Sequence, residues 1–185
     1  MIIKRRRIIK KDPWRHDAGA QDLPPGPVFV PLKRWRRERE GLLSRAREGR
    51  LGLSLRPDDD VDEIAGDLRY FTAIALAFAA FADGRGYSQA RLLRARHGYT
   101  GEIRAVGDIR RDQLSFLERC GVDAAELASG QDIESSLDAY GEITVRLQPA
   151  ADKEILIFHR RFQRARGAGR PGRPMNSLYR KQGER

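Results

Sequence analysis

Apolar residues along the chain fall into two kinds of stretch, short continuous runs and longer segments spaced like one face of a helix. Residues 28–32 read as a strand. Residues 33–48 read as a surface helix, with Trp35, Leu42, Leu43 and Ala46 among many charges and Gly49 closing it. Residues 51–55 form a second strand. Asp60 then caps a helix that carries Ile64, Ala65, Leu68 and Phe71. Residues 73–81 are the most apolar run and read as a buried third strand. Residues 86–97 are helical, with Ala90, Leu92 and Leu93 inward and Gly98 at the end. Residues 103–106 make a fourth strand. Residues 110–120 make a helix that turns Leu114, Phe116 and Leu117 to the core before Gly121. A fifth strand at 124–127, a helix at 132–139 with Ile133 and Leu137, and a sixth strand at 143–147 complete the pattern.

Strands alternating with helices predict an α/β fold of βα units around a mainly parallel sheet. Two architectures fit, an open three-layer sheet or a partial βα barrel with its strands in sequence order. Six strands fall short of the eight of a closed barrel, and periodicity does not separate the two. Outside this region, residues 2–11 place two Ile pairs around a polar centre, which suits a hairpin or an edge strand, or else a solvated arm. Residues 12–27, with Asp12-Pro13-Trp14 and Pro24-Pro25-Gly26-Pro27, read as loop. After Gln148 the pattern stops. Residues 160–185 are rich in Gly, Pro and Arg and read as a disordered tail. The expected organisation is a hairpin or arm and loop over 1–27, an α/β domain over 28–150 and a basic, largely disordered tail over 151–185.

Composition narrows the function classes. A chain of 185 residues, 40% of them hydrophobic, can bury one core. The longest apolar run, 74–82, is far short of a membrane span. The basic N-terminus is not followed by the apolar stretch of a secretory signal, so the cytoplasm is the expected location. Cys120 is the single cysteine, which rules out an internal disulfide, a Cys-x-x-Cys pair and a cysteine-held zinc or iron–sulfur site. With only His16, His97 and His159, a histidine-rich metal site is not expected either. The net charge of +10 is uneven. Residues 33–56 hold nine basic and three acidic residues, whereas 57–150 hold ten basic and seventeen acidic. A nucleic-acid role through the basic ends is therefore not favoured over others.

In parallel α/β folds, chemistry gathers where strands end. Asp58, Asp59 and Asp60 follow the second strand. Asp83, Gly84, Arg85, Gly86, Tyr87, Ser88 and Gln89 follow the third. Gly107, Asp108, Arg111, Asp112 and Gln113 follow the fourth, and Glu126, Gln131 and Asp132 the fifth. Two glycines around Arg85 at a strand-to-helix turn suit an oxyanion or a partner carboxylate. The competing reading is a tight turn in which Asp83 and Arg85 pair with Asp108 or Arg111. The segment is neither a dinucleotide fingerprint nor a P-loop. The three aspartates at 58–60 suit magnesium less well than helix capping. Asp108 and Asp112 are a weaker acid/base pair. Cys120 reads as a buried small residue. His97 suits the negative end of a helix.

The segment Ala82-Asp83-Gly84-Arg85-Gly86-Tyr87-Ser88-Gln89-Ala90-Arg91-Leu92-Leu93-Arg94 resembles the signature of a bacterial domain-of-unknown-function family. So do Gly101-Glu102-Ile103-Arg104-Ala105-Val106-Gly107-Asp108-Ile109, Arg111-Asp112-Gln113-Leu114 and Arg119-Cys120-Gly121-Val122-Asp123. Asp12-Pro13-Trp14 and Val30-Pro31-Leu32 match its N-terminal part, and the resemblance spans roughly residues 2–150. Two positions depart from it in packing. Phe78-Ala79-Ala80-Phe81 lacks the family's proline, and Val122-Asp123-Ala124-Ala125 stands where the family has Phe-Asp-Ala-Phe. Members are described as probable oxidoreductases of sulfite reduction, because their genes lie beside assimilatory sulfite reductase and adenylyl-sulfate reductase.

The resemblance implies a place in sulfur assimilation. The residues themselves offer no dinucleotide fingerprint and no evident haem or cluster ligands. The preferred expectation is an accessory protein that aids sulfite reductase by docking or by handling an anion through Gly84, Arg85, Gly86, Tyr87, Ser88, Arg111, Asp112 and Gln113. The second is a true enzyme of the same pathway, with Arg85 and Arg111 on sulfite or sulfate oxygens, Asp83 or Asp108 as acid/base, and a non-covalent flavin or a nicotinamide. The third is a nucleic-acid-binding module using both basic ends.

Overall fold

The computed structural model describes residues 1–80, 82–143, 147, 148, 150–152 and 157. Its elements are β1 (Ile2–Lys4), β2 (Arg7–Ile9), β3 (Arg15–His16), β4 (Val28–Pro31), α1 (Leu32–Arg47), β5 (Leu51–Leu55), a 3₁₀-helix (Asp62–Tyr70), β6 (Ala73–Phe78), α2 (Arg85–Arg91), β7 (Glu102–Gly107), α3 (Leu114–Arg119), β8 (Ala124–Glu126) and α4 (Ile133–Glu142). Everything below concerns the compact unit Met1–Thr144 with Ala150–Asp152.

The eight strands form one sheet in the order β2-β1-β8-β7-β6-β5-β4-β3. From β3 to β8 the neighbours are parallel and follow the chain. This order decides between the two architectures, because an open doubly wound sheet reverses its order at a switch point. The sheet is a curled half-barrel. The N-terminal Ile pairs form the β1–β2 hairpin, and β1 adds antiparallel to β8. The sheet is thus mixed at one edge rather than parallel throughout.

Alternation along each strand separates two faces. Val28, Val30, Leu51, Leu53, Leu55, Ile74, Leu76, Phe78, Ile103 and Ala105 join the main core with Trp35 and Leu42 of α1, Leu93, and Leu114 and Leu117 of α3. Trp35 lies fully inside and donates its Nε1–H to Asp67 at 2.8 Å, which satisfies the indole. The opposite face holds Phe29, Ala73 and Ala75, with Trp14 and Val106 packed on them. Its side chains are small where the sheet curls. A Cβ on Gly52 would stand 2.5 Å from the Phe29 ring and 2.8 Å from Trp14, so only glycine admits both rings.

Differences from the sequence reading are local. Residues 12–27, read as loop, contain the two-residue strand β3, which pairs parallel with β4 through Arg15–Val28 and His16–Phe29. The helix expected around Ile64 and Leu68 is a 3₁₀-helix, and Phe71 is buried just past its end. Asp60 still accepts a hydrogen bond from Asp62 N–H at 2.9 Å. Phe116 is not inward but 49% exposed, because Leu114 and Leu117 occupy the buried stripe of α3. Its ring meets Tyr87 at 5.0 Å. The expected third strand ends at Phe78, and Phe81 lies outside the described residues. Most of the expected sixth strand at 143–147, and nearly all of the basic tail at 151–185, also lie outside them. No helix among the described residues is long and apolar enough to cross a membrane.

Candidate functional site

Because β5, β6 and β7 are parallel neighbours, the segments that leave them share one rim. Arg85 stands first on α2 and is the hub of that rim. Its Nε and Nη2 donate to Asp83 at 3.0 and 2.8 Å, and its Nη1 donates to Asp58 from the β5 exit. Its backbone N–H also donates to Asp83, at 3.1 Å. Asp83 therefore supplies the negative charge at the start of α2. The Arg85 guanidinium and backbone N–H hold the Asp83 carboxyl down at about 2. The guanidinium is raised in turn, chiefly by its hydrogen bond to Asp83. Arg85 pairs backwards along the sheet to Asp58, not forwards to Asp108 or Arg111. It remains open to solvent, with 55% of its side chain exposed.

One prediction follows from this geometry. In a carboxyl-detected NMR titration the Asp83 carboxyl is expected to titrate near 2, and Arg85→Ala is expected to return it towards its ordinary 3.8. Any stability this pair contributes is complete above about pH 3.8 and is lost as pH falls through about 2. An Asp83 carboxyl that titrates unchanged in the variant overturns this account of the rim.

The other rim residues are placed as follows. Gly84 is exposed, and Gly86 is buried with its Cα against the Phe78 ring, which a Cβ would meet at 2.5 Å. Tyr87 packs edge-on to Phe78, and burial raises its hydroxyl despite a hydrogen bond with Gln113. Ser88 and Asp112 face solvent. Gln113 is buried and accepts from Arg110 N–H at 2.9 Å, closing the turn before α3. Asp108 takes both forks of Arg110, at 3.3 and 3.2 Å. Arg111 turns away from Arg85 to α4, where it donates to the Ser135 carbonyl at 3.0 Å and to Glu142. The geometry thus joins Asp58, Asp83 and Arg85, and keeps Asp108 and Arg111 in separate pairs.

Asp58, Asp59 and Asp60 point to three different partners. Asp58 meets Arg85, Asp59 accepts from Arg56 N–H at 2.7 Å, and Asp60 accepts from Asp62 N–H. No group of three His, Cys, Asp or Glu side chains among the described residues is arranged to hold a metal ion. Cys120 is buried, and burial raises its thiol. His97 meets Asp62 at 2.8 Å.

Sequence reasoning missed a second cluster, on the Phe29 face of the sheet. Arg104 of β7 is 1% exposed. It donates to Asp12, Glu102 and Glu126, at 3.1, 2.8 and 3.1 Å, and its guanidinium lies over the Phe29 ring at 5.3 Å. Burial pulls the guanidinium down, but the hydrogen bonds and charges of Asp12 and Glu102 outweigh it and hold it above its ordinary value. Glu126 was expected on the rim but faces inward, where it also meets His16 of β3 at 3.2 Å. That contact joins β3 and β8, the first and last strands of the parallel run. An arginine at an inward position of an apolar strand, Ile103-Arg104-Ala105-Val106, was the available signal.

A family model described as a bacterial protein of unknown function (DUF934) matches residues 52–158, more than half of the chain and all of the rim from Asp58 to Asp132. No curated protein and no solved structure matches.

Proposed function

The chain belongs to this bacterial family, DUF934, and from that membership we propose that it is an accessory protein of assimilatory sulfite reduction that docks to sulfite reductase through the rim around Arg85. The pathway comes from the resemblance of its 82–94 and 101–123 segments to proteins encoded beside that reductase. The mode of action comes from the Asp58–Arg85–Asp83 cluster, the single observation that carries this reading. A guanidinium already held by two carboxylates meets a free sulfite ion poorly, because it must first release them. A rigid, exposed pattern of both signs instead suits a complementary protein surface. The Tyr87–Phe116 pair on the neighbouring helices adds aromatic area, which interface cores favour.

The test is growth. A deletion strain is expected to fail on sulfate and on sulfite, and to grow on sulfide or cysteine. Plasmid-borne wild-type protein is expected to restore growth. Arg85→Glu, which places a third carboxylate at the cluster, is expected to fold with an unchanged circular dichroism spectrum and not to restore it. Growth of the deletion strain on sulfite, or full rescue by Arg85→Glu, overturns the reading.

A further inference from the structure

We infer that the pocket between the start of α1 and the exit of β5 binds a compact polyanion of the diphosphate type. Lys33, Arg36 and Arg37 are spaced three and four residues apart on α1, so they share one helix face. Arg56 approaches them from the segment that leaves β5. Together with Leu32 and Asp59 they line a cavity of about 440 Å³. Four cations and one carboxylate line it, and Glu63 and Glu38 pair with two of those cations, so the charge gathered there stays positive although the body of the domain from 57 to 150 is acidic.

The wall that presents Arg56 is prebuilt. Asp59 accepts from Arg56 N–H at 2.7 Å, and Asp59 N–H donates to the Arg56 carbonyl at 3.0 Å. Buried Gln89 clamps this turn from α2 by donating to the carbonyls of Arg56 and Asp59, at 2.9 and 2.8 Å. Such support holds a binding side chain in place before the ligand arrives.

The cations are exposed to a ligand. Lys33 has no ion pair among the described residues. Arg56 lies 3.9 Å from the Asp59 carboxylate, with 76% of its side chain exposed. Arg36 and Arg37 each pair with a single carboxylate, Glu63 and Glu38, where Arg85 is held by two, so an anion has one weak pair to displace at each. The first turn of α1 carries no acidic residue, so its dipole opposes the positive charge gathered there. An anion in the pocket relieves that repulsion, and arginine forks suit phosphoryl oxygens in particular.

Size and charge select the ligand class. The cavity lies in the range of small-ligand pockets, which favours a compact molecule over a nucleic-acid strand. It is too large for one tetrahedral oxyanion to fill. A diphosphate presents several anionic oxygens, so it can engage more than one of the four lining cations at once. The group could arrive as free pyrophosphate or as the end of a nucleotide. Arg85 does not line this cavity, although its partner Asp58 sits in the same turn as Arg56 and Asp59, and the Asp58–Arg85–Asp83 cluster carries a net charge of −1.

Calorimetry on the full chain at constant ionic strength tests the inference, with pyrophosphate, ADP, inorganic phosphate and sulfate as probes. Pyrophosphate is expected to bind with a dissociation constant below about 1 mM, at least ~10-fold tighter than phosphate or sulfate. Equal binding of ADP assigns the site to a nucleotide's diphosphate, and its failure beside bound pyrophosphate assigns it to the free ion. Lys33→Glu and Arg56→Glu change exposed side chains. Each is expected to weaken binding at least ~10-fold without moving the unfolding midpoint, while Arg7→Glu, exposed on β2 at the other end of the sheet order, leaves binding unchanged. No pyrophosphate binding overturns the inference. So does binding that survives both pocket variants, which would place the ligand on the basic ends, and so does an equal loss in Arg7→Glu.

Discussion

Arg104→Ala is expected to cost the fold about 3–5 kcal/mol, the usual penalty for removing one partner of a buried ion cluster. The arginine is 1% exposed and faces three carboxylates, Asp12, Glu102 and Glu126. Without it they stand close together on the Phe29 face of the sheet, with Lys4 on Glu102 as the remaining counter-charge. A domain of this size has a total stability of about 5–15 kcal/mol, so the loss is a large share. It also removes the cation over Phe29 and unties Asp12, which fastens the segment leading into β3.

Acid is expected to shrink this penalty. Burial raises the Glu126 carboxyl, but its bonds to His16 and Arg104 outweigh that and hold it below its ordinary 4.5. A carboxylate with a depressed folded-state pKa contributes stability that is complete above the unfolded value and is lost as pH falls through the folded one. Wild type therefore loses part of the Arg104 advantage below about pH 4.5, while in the variant Glu126, without the guanidinium that lowers it, protonates more readily and stops repelling its neighbours. Urea unfolding at neutral pH and near pH 4 measures both. Adding Asp12→Asn and Glu126→Gln to Arg104→Ala is expected to recover part of the loss at neutral pH. A neutral-pH difference within about 1 kcal/mol of wild type would falsify the claim that this cluster stabilises the fold.

Gly107→Ala is the second large effect, at about 3 kcal/mol or more. Gly107 has φ +112°, a conformation that side chains rarely adopt. Its Cβ would stand 2.3 Å from the carbonyl oxygen of Phe78, on the adjacent parallel strand. That same oxygen accepts Asp108 N–H at 3.0 Å. Backbone cannot move aside as a side-chain tip can, so β6 and β7 must part where the rim begins. Gly98→Ala is the control. It also has positive φ, at +61°, but nothing lies within 4 Å of its added Cβ, so its cost is expected to stay near ~1–2 kcal/mol. Similar unfolding midpoints for the two variants would show that the close approach to Phe78 carries no weight.

Much of the architecture was legible from 28 to 127 because each strand and helix there is set by near neighbours. Gly49, Gly98 and Gly121 end their segments with positive φ, and Ile2–Lys4 and Arg7–Ile9 pair as their Ile spacing implied. The 3₁₀-helix at Asp62–Tyr70 was less legible, since Ile64 and Leu68 mark a buried face in either kind of helix. Phe116 misled because hydrophobicity alone does not say which of three neighbouring apolar residues points outward. At the rim, the residues leaving each strand were legible but their pairing was not. Arg85 meets Asp58, 27 positions earlier, and Asp108 is taken by Arg110.

The sequence by itself determined most of the strands and helices between 28 and 127, that β4 to β8 run parallel, and which residues leave the strand ends. Those features depend on period, capping and crossover length, all interactions over a few positions or one unit. Tertiary structure alone decided the strand order, the inward turn of Glu126 and the meeting of Arg104 with Asp12, 92 residues away. It also decided that Lys33, Arg36, Arg37 and Arg56 face one cavity. The physical reason is the curl of the sheet. A charge pair forms only where the backbone brings its members within a few ångströms, and that distance is set by how all the strands wrap around Phe29, Gly52 and Trp14 at once.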